Sequence, residues 1–436
     1  MRFSVAIKNG LLLTMDKENR VIQNGFLGIL EDEIVYIGKE PEDFFSDEII
    51  DANGGIVLPG LINAHTHVPM SLFRGLAEDI PLKQWLEDYI FPIEKRLNPE
   101  LVYTGSLLSC AEMIMSGTTT FCDMYCFEDE VAKAAKKAGM RCLISEGLFD
   151  FPSPNYGDNI EDGYNYTQWL IEKWKDDPLI NVAVGPHTPY TCSEEVLRKS
   201  KEIAEAYGVP IIIHLAETEL EVQEIRKRHG KTPTEYLHDL RILGPNLIAA
   251  HCVHLSKGDL ELLKNSDTKV VHNPECNMKL ASGISPVPEM LNMGICVALG
   301  TDGSASNNNL DLFQEMDTAS KLHKISKMDP SVMDAVTVVK MATIYGAKAL
   351  GMEKLIGSLE VGKKADVIVL NTNTPHMIPL YNPFYGIVYS ATGADVVCSI
   401  INGKVVMKEK RLVTLDIEEV IKDAKQWAEQ IRNWLS

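Results

Sequence analysis

The sequence predicts an α/β fold, a (β/α)8 TIM barrel with a small β-sandwich domain built from both termini. Three observations predict it. Between residues 58 and 350, short apolar runs alternate with helical patterns, and eight runs can be counted. Both ends of the chain carry short strand-like pieces separated by turn residues, with no helical period among those pieces. Residues able to bind a metal follow the apolar runs, at the strand ends where such barrels assemble their sites.

Taken in order, the first strand-like pieces are Ser4–Ile7, Leu11–Thr14, Gly25–Leu30 and Ile34–Ile37, with turns expected at Asn9-Gly10 and Asn24-Gly25. The same texture returns in Ala365–Leu370 and Val396–Met407, where Asn402-Gly403 marks a hairpin. These pieces predict one sheet domain from residues 1–57 and 355–415, around a barrel of residues 58–354. The barrel strands are expected at Val57–Ala64, Thr118–Met124, Arg141–Gly147, Asn181–Gly185, Pro210–His214, Leu247–His251, Lys269–His272 and Cys296–Gly300. Helices are expected between them at Asn98–Ser116, Glu128–Ala138, Tyr164–Lys175, Ser193–Ala206, Glu219–His229 and Lys257–Asn265. Asn309–His323 and Pro330–Leu350 read as further helices, and Asp150–Tyr166 as a long loop. Residues 416–436 hold a last amphipathic helix, Ile417–Trp434.

Composition narrows the class of partner. A chain of 436 residues is long enough for a barrel plus a smaller unit. A net charge of −19 argues against nucleic acid or an anionic membrane as partner. Nine cysteines without a C-x-x-C, several of them inside apolar runs (Cys142, Cys252, Cys296), suit reduced thiols in a cytoplasm. Residues 1–20 carry charges around only a short apolar stretch, unlike a signal peptide. The longest uncharged run, Asn371–Ala394, is broken by Pro375, Pro379 and Pro383 and is not expected to span a membrane.

The chemistry starts at Pro59-Gly-Leu-Ile-Asn-Ala-His65-Thr-His67. In an extended strand, residues two apart face the same side, so both imidazoles can aim at one point. Alone, such a pair is as readily two hydrogen-bonded histidines at a strand end. The other strand ends change the balance. They carry Asp123, Glu146, His187, His214 with Glu217, His251, His272 and Thr301-Asp302-Gly303, in a chain with only 11 histidines. Jointly they point to a metal centre.

The segments P-G-L-I-N-A-H-T-H, H-L-A-E ending at Glu217, H-C-V-H from His251 and G-T-D-G around Asp302 resemble the amidohydrolase superfamily over essentially the whole chain. Within it, Pro81-Leu-Lys-Gln-Trp85-Leu, Pro92-Ile-Glu94, Gly117-Thr-Thr-Thr, Gly185-Pro-His187 and Thr301-Asp-Gly-Ser-Ala-Ser306-Asn-Asn resemble the methylthioadenosine/S-adenosylhomocysteine deaminase family. The resemblance implies a deaminase of adenine nucleosides in which His65, His67, His214 and Asp302 hold one divalent metal. Three imidazoles and a carboxylate suit Zn2+, with Fe2+ and Mn2+ left open by the donors alone. It further implies that Glu217 transfers protons, that His251 orients the attacking water, and that Asp302 accepts a proton as well as binding metal. Glu94 is expected to accept hydrogen bonds from the ribose hydroxyls, His187 and Ser306 to touch the nucleoside, and Trp85 to line an apolar wall. A homo-oligomer is left open.

Zinc deaminases carrying H-x-E with P-C-x-x-C are excluded, because both motifs are missing. Hydrolysis of another aromatic C–N or C–Cl bond, of the guanine or triazine type, shares the metal set, and a non-catalytic scaffold shares the fold. The chain departs from its resemblance in one place. S-adenosylhomocysteine users are expected to hold the amino-acid carboxylate with arginines at and after the third strand. This chain has Ser145-Glu146-Gly147 there and no arginine between Cys142 and Leu197. The expectation is therefore that Glu146 faces the 5′ substituent and that neutral groups are preferred: 5′-deoxyadenosine, 5′-methylthioadenosine and adenosine ahead of S-adenosylhomocysteine.

Overall fold

The computed structural model describes residues 1–80, 84 and 86–435. Its centre is a ring of parallel strands: Leu61–Thr66, Thr118–Tyr125, Arg141–Leu148, Ile180–Val182 continued by Gly185–Pro186, Ile211–Leu215, Leu247–His251, Lys269–His272 and Val297–Leu299. Each pairs with the next in chain order. Val184 bridges to Ile211, and the Asp302 amide donates to the His65 carbonyl at 3.0 Å, which joins the eighth strand's end to the first. Every strand contributes at least one side chain to the barrel interior: Ile62, Cys122, Leu143, Ala183, Ile212, Ile248, Val271 and Ala298. Helices cover the outside, so the strands are apolar on both faces. That is why they read as short continuous runs rather than alternating ones.

The surrounding helices form where their ends are satisfied. Asn98 accepts the Leu101 amide at the start of Pro99–Met115, and Thr218 accepts the Glu221 amide at the start of Glu219–His229. Gly139, Gly208 and Gly230 end three helices in the left-handed conformation. The expected loop at 150–166 gives way at Asn159, whose side chain caps a helix over Ile160–Trp174. The expected helix Pro330–Leu350 is two, Ala335–Met341 and Ile344–Ala349, interrupted at Thr343 with φ −132° and ψ −99°.

The strands from the two ends form one sheet of nine. It has a core of its own, in which Val5, Ile7, Leu27 and Ile29 meet Val367, Val369 and Ile400. Asn402-Gly403 is the expected tight hairpin, with φ of 50° and 76°. Asn9-Gly10 and Asn24-Gly25 are not turns. They lie inside Arg2–Leu13 and Val21–Leu30, at paired irregularities where Gly10 faces Gly25. Asn9 and Asn24 adopt left-handed φ there, which bends the strands without ending them. Phe45–Asp51 is an additional strand, parallel to Arg2–Leu13.

The expected strand Val57–Ala64 divides at Gly60. Ile56–Pro59 lies in the terminal sheet against Val367–Leu370, and Leu61 begins the barrel. A Cβ on Gly60 would sit 2.1 Å from the Thr119 hydroxyl oxygen, so only glycine passes this crossing. A second tie is ionic: the wholly buried Arg141 donates to Asp366 at 2.8 and 3.3 Å and to Asn402 at 3.0 Å. Among the described residues no helix is long and apolar enough to cross a membrane.

Candidate metal centre and active site

Three strand ends, the first, fifth and eighth, bring the four expected donors to one place. His67 Nε2 lies 3.1 Å from Asp302 Oδ1 and 3.4 Å from His214 Nε2, and His65 Nε2 lies 3.6 Å from Asp302 Oδ1. Neighbouring donors of a tetrahedral ion with bonds of about 2.0–2.1 Å are separated by about 3.4 Å, so these spacings suit a metal. Two triplets have donor atoms within 4.8 Å of one another: His65 with His67 and Asp302, and His65 with His214 and His251. His251 is thus close enough to share the centre.

The rings are held for this purpose. His67 Nδ1 donates to the Met124 carbonyl at 2.6 Å and His214 Nδ1 to the His187 carbonyl at 2.9 Å, leaving each Nε2 lone pair facing inward. His65 is wholly buried, and neither of its ring nitrogens has a hydrogen-bond partner. A cation would satisfy that orphaned imidazole. Burial, reinforced by the neighbouring histidines, keeps His65 and His214 well below the ordinary imidazole range. Burial also opposes a charge on His67, yet the adjacent Asp302 carboxylate raises that ring to about 9. A proton and a cation would compete there for the same Nε2.

Backbone strain accompanies this placement. Ala216, His251 and Asp302 all have positive φ, of 50°, 70° and 61°, at the ends of the fifth, sixth and eighth strands. Non-glycine residues adopt this conformation at a cost of about 1–3 kcal/mol, and functional sites concentrate it.

A model of the Amidohydrolase family matches residues 56–406, which is most of the chain. The chain belongs to the amidohydrolase family. This amidohydrolase is 52% identical to the 5-methylthioadenosine/S-adenosylhomocysteine deaminase of Syntrophobacter fumaroxidans, over 99% of each chain. It is 46% identical to the 5′-deoxyadenosine deaminase of Methanosarcina acetivorans, over 98% of each. A crystal structure of an adenosine deaminase from Xanthomonas campestris with bound zinc superimposes with a TM-score of 0.97 at 33% identity, over 99% of both chains. Atrazine chlorohydrolase from Arthrobacter aurescens shares the fold, with a TM-score of 0.91 at 22% identity, over 97% of this chain and 100% of that one. The amidohydrolase is therefore an enzyme, a metal-dependent aminohydrolase.

The remaining expected residues fall around the centre. Glu217 is half-buried, with Oε2 4.0 Å from His251 Nε2, and burial raises its carboxyl above the ordinary range. Glu94 accepts the Tyr125 hydroxyl at 2.7 Å; burial lifts its carboxyl to about 7 against that hydrogen bond. Tyr125 in turn lies beside His67, with ring centroids 6.1 Å apart. His187 packs against His214 at 5.0 Å between centroids, and its Nδ1 is bonded to the Thr191 hydroxyl at 2.8 Å. Ser306 is buried in the loop after the eighth strand and donates to the Gly303 carbonyl at 3.1 Å. Trp85 lies outside the described residues.

Glu146 is not where the sequence suggests. It has no exposed surface, and its carboxylate accepts the Phe127 amide at 3.3 Å, the Glu128 amide at 3.1 Å and the Asn155 side chain at 2.9 Å. It holds the start of the Glu128–Ala138 helix and the following loop in place, rather than facing an open pocket. The unclaimed N–H groups that open a helix attract a nearby carboxylate, which accounts for the difference.

Other residues complete the site without any single-residue signal in the sequence. Glu221 accepts the Ala216 amide at 3.1 Å and the Glu217 amide at 2.9 Å, so it sets the backbone that carries Glu217. Its H-x-x-E-x-x-x-E spacing after His214 is the one pattern that could have revealed it. Asn277 accepts from His251 Nδ1 at 3.0 Å. Asp123 is buried and accepts the Val68 amide at 2.6 Å, which secures the chain just after His67. His272 pairs with the buried His323, nitrogen to nitrogen at 3.1 Å.

Proposed function

We propose that this amidohydrolase removes the amino group from the adenine ring of nucleosides with neutral 5′ groups, using one divalent ion, Zn2+ in the first instance. The observation that carries the reading is the convergence of His65, His67, His214 and Asp302, with Glu217 on one side and the Glu94–Tyr125 pair on the other. These residues fit a divalent cation, which supplies the Lewis acidity that makes water nucleophilic near neutral pH.

The protein's own groups do the rest. Glu217, its carboxyl raised by burial, keeps a proton at a pH where an exposed glutamate has lost it. It gives that proton to the ring nitrogen next to the carbon that water attacks. His251, fixed through Nδ1, presents Nε2 towards both Glu217 and Asp302 and orients the water. Asp302 takes the proton that water gives up as the C–O bond forms. That proton passes to the departing amine, the C–N bond breaks as the new hydroxyl returns its remaining proton to Glu217, and ammonia and the inosine analogue result. Glu94 offers two carboxylate oxygens to the ribose hydroxyls.

The preference for neutral 5′ groups rests on two features. Phe149 and Phe151 stack at 4.1 Å, with Phe149 edge-on to His187, which makes an apolar shelf beside the site. No arginine follows the third strand before residue 198 to pair with a carboxylate. Buried, unpaired thiols at all nine cysteines agree with a cytoplasmic setting.

The test is steady-state kinetics with ammonia detection on 5′-deoxyadenosine, 5′-methylthioadenosine, adenosine and S-adenosylhomocysteine. We expect kcat/KM to be lower for the last by roughly tenfold or more, the cost of a carboxylate without its partner. The highest kcat/KM for S-adenosylhomocysteine would refute the preference. Arg228, which donates to the Tyr190 carbonyl at 2.9 Å in the loop after His187, would then be the cation to remove.

A further inference from the structure

Asp302 has to present one particular oxygen to the centre, and the eighth strand alone does not decide which. Its Oδ1 accepts the Gly303 amide at 2.7 Å and faces His67 and His65. Its Oδ2 points away from them, 3.9 Å from His251 Nε2. The group that meets Oδ2 is the thiol of Cys276, at 2.7 Å. Cys276 is wholly buried on the short helix Pro274–Lys279, which follows the seventh strand. A carboxylate oxygen can only accept, so in this contact the thiol is the donor.

The same helix carries Asn277, whose side chain meets His251 Nδ1. Two consecutive residues of one helix therefore hold the two groups that flank the centre on this side. The arrangement rests on the metal reading above.

We infer that Cys276 is a positioning residue for the metal centre: its thiol donates to Asp302 Oδ2 and so commits Oδ1 to the ion. A carboxylate free to rotate would lose that commitment and bind metal more weakly. Groups that orient metal ligands in this way are typically worth about 10–100-fold in metal affinity. A serine at 276 keeps a donor of similar shape, whereas an alanine keeps the packing but not the donor.

The experiment measures Zn2+ affinity by competition with a chromogenic chelator, on the full chain as wild type, Cys276→Ala and Cys276→Ser. Thermal melts of the metal-free proteins check folding. We expect Cys276→Ala to weaken binding by about tenfold or more and Cys276→Ser to stay within about threefold of wild type. Equal weakening by both substitutions would mean packing alone and would overturn the inference, as would no weakening by either. If Cys276→Ala does not fold, the infrared S–H stretch settles the matter, read as the wild-type minus Cys276→Ser difference. A band at the frequency of a free thiol overturns the inference, and a band shifted down by hydrogen bonding supports it. Wild-type protein that takes up no divalent ion would overturn the metal reading and this inference together. Uptake by wild type with an unchanged Cys276→Ala overturns this inference alone.

Discussion

Replacing Glu217 with Gln separates the proton carrier from everything else it touches. The amide has the same shape, and the backbone at 216–217 is held from outside by Glu221 through hydrogen bonds at 3.1 and 2.9 Å. The metal donors lie on other residues, so the substitution should leave metal content and KM nearly unchanged. What disappears is a transferable proton within reach of the ring. General acid–base catalysis contributes roughly 10^2–10^4-fold, or about 3–5 kcal/mol of barrier, and kcat should fall by that factor. The pH profile adds a second reading. Burial raises the Glu217 carboxyl, so the acid form persists above the ordinary carboxylate range and is lost on the alkaline side. The wild-type kcat/KM should decline there as Glu217 ionises, and that decline should be absent in the variant. The assay is the absorbance change on deamination, with metal measured by mass spectrometry on the same samples. Wild-type kcat in a variant with full metal content would refute Glu217 as the proton carrier.

Metal removal should abolish activity, and His65→Ala should lose the ion; a binding stoichiometry of about one per chain is expected, and two tightly held ions would refute a mononuclear centre. Glu146→Arg should cost stability rather than alter specificity. It strips three donors of their acceptor and buries an unpaired cation, for roughly 3–5 kcal/mol in thermal or denaturant unfolding. A variant of wild-type stability that gains activity on S-adenosylhomocysteine would show that Glu146 faces the substrate after all.

The barrel was legible because both faces of its strands are buried. Runs such as Ile211–Ile213 and Leu247–Ala250 leave little else for the chain to be, and His214 and His251 mark their ends. The terminal sheet was harder. Phe45–Asp51 mixes three acidic residues with Phe45, Ile49 and Ile50, of which only Ile50 is buried, so its apolar residues make no strand pattern. Asn-Gly pairs signal positive φ, which a hairpin and a bulged strand both use, and only the partner strand decides between them. At the site, the convergence of His65 and His67 could be read because residues two apart in a strand face the same side. Glu146, Glu221 and Cys276 could not, because a buried acid or thiol is defined by which distant N–H or carboxylate it meets. Helices as short as Pro233–Asp239 and Pro274–Lys279 hold too few residues to show a period.

The crossing at Gly60 has a consequence for the order in which the protein can be assembled. The segment that carries His65 and His67 begins as Ile56–Pro59, which sits between Arg2–Leu13 and Val367–Leu370. A chain growing on a ribosome has its last barrel strand by Leu299, but its second flank for Ile56–Pro59 comes some seventy residues later. Until then Val5, Ile7, Leu27 and Ile29 lack the residues that cover them from the other end of the chain. The nascent protein therefore carries an open apolar sheet edge through the whole synthesis of its barrel. The strand that carries His65 is clamped at its root only after every strand of the barrel has been made.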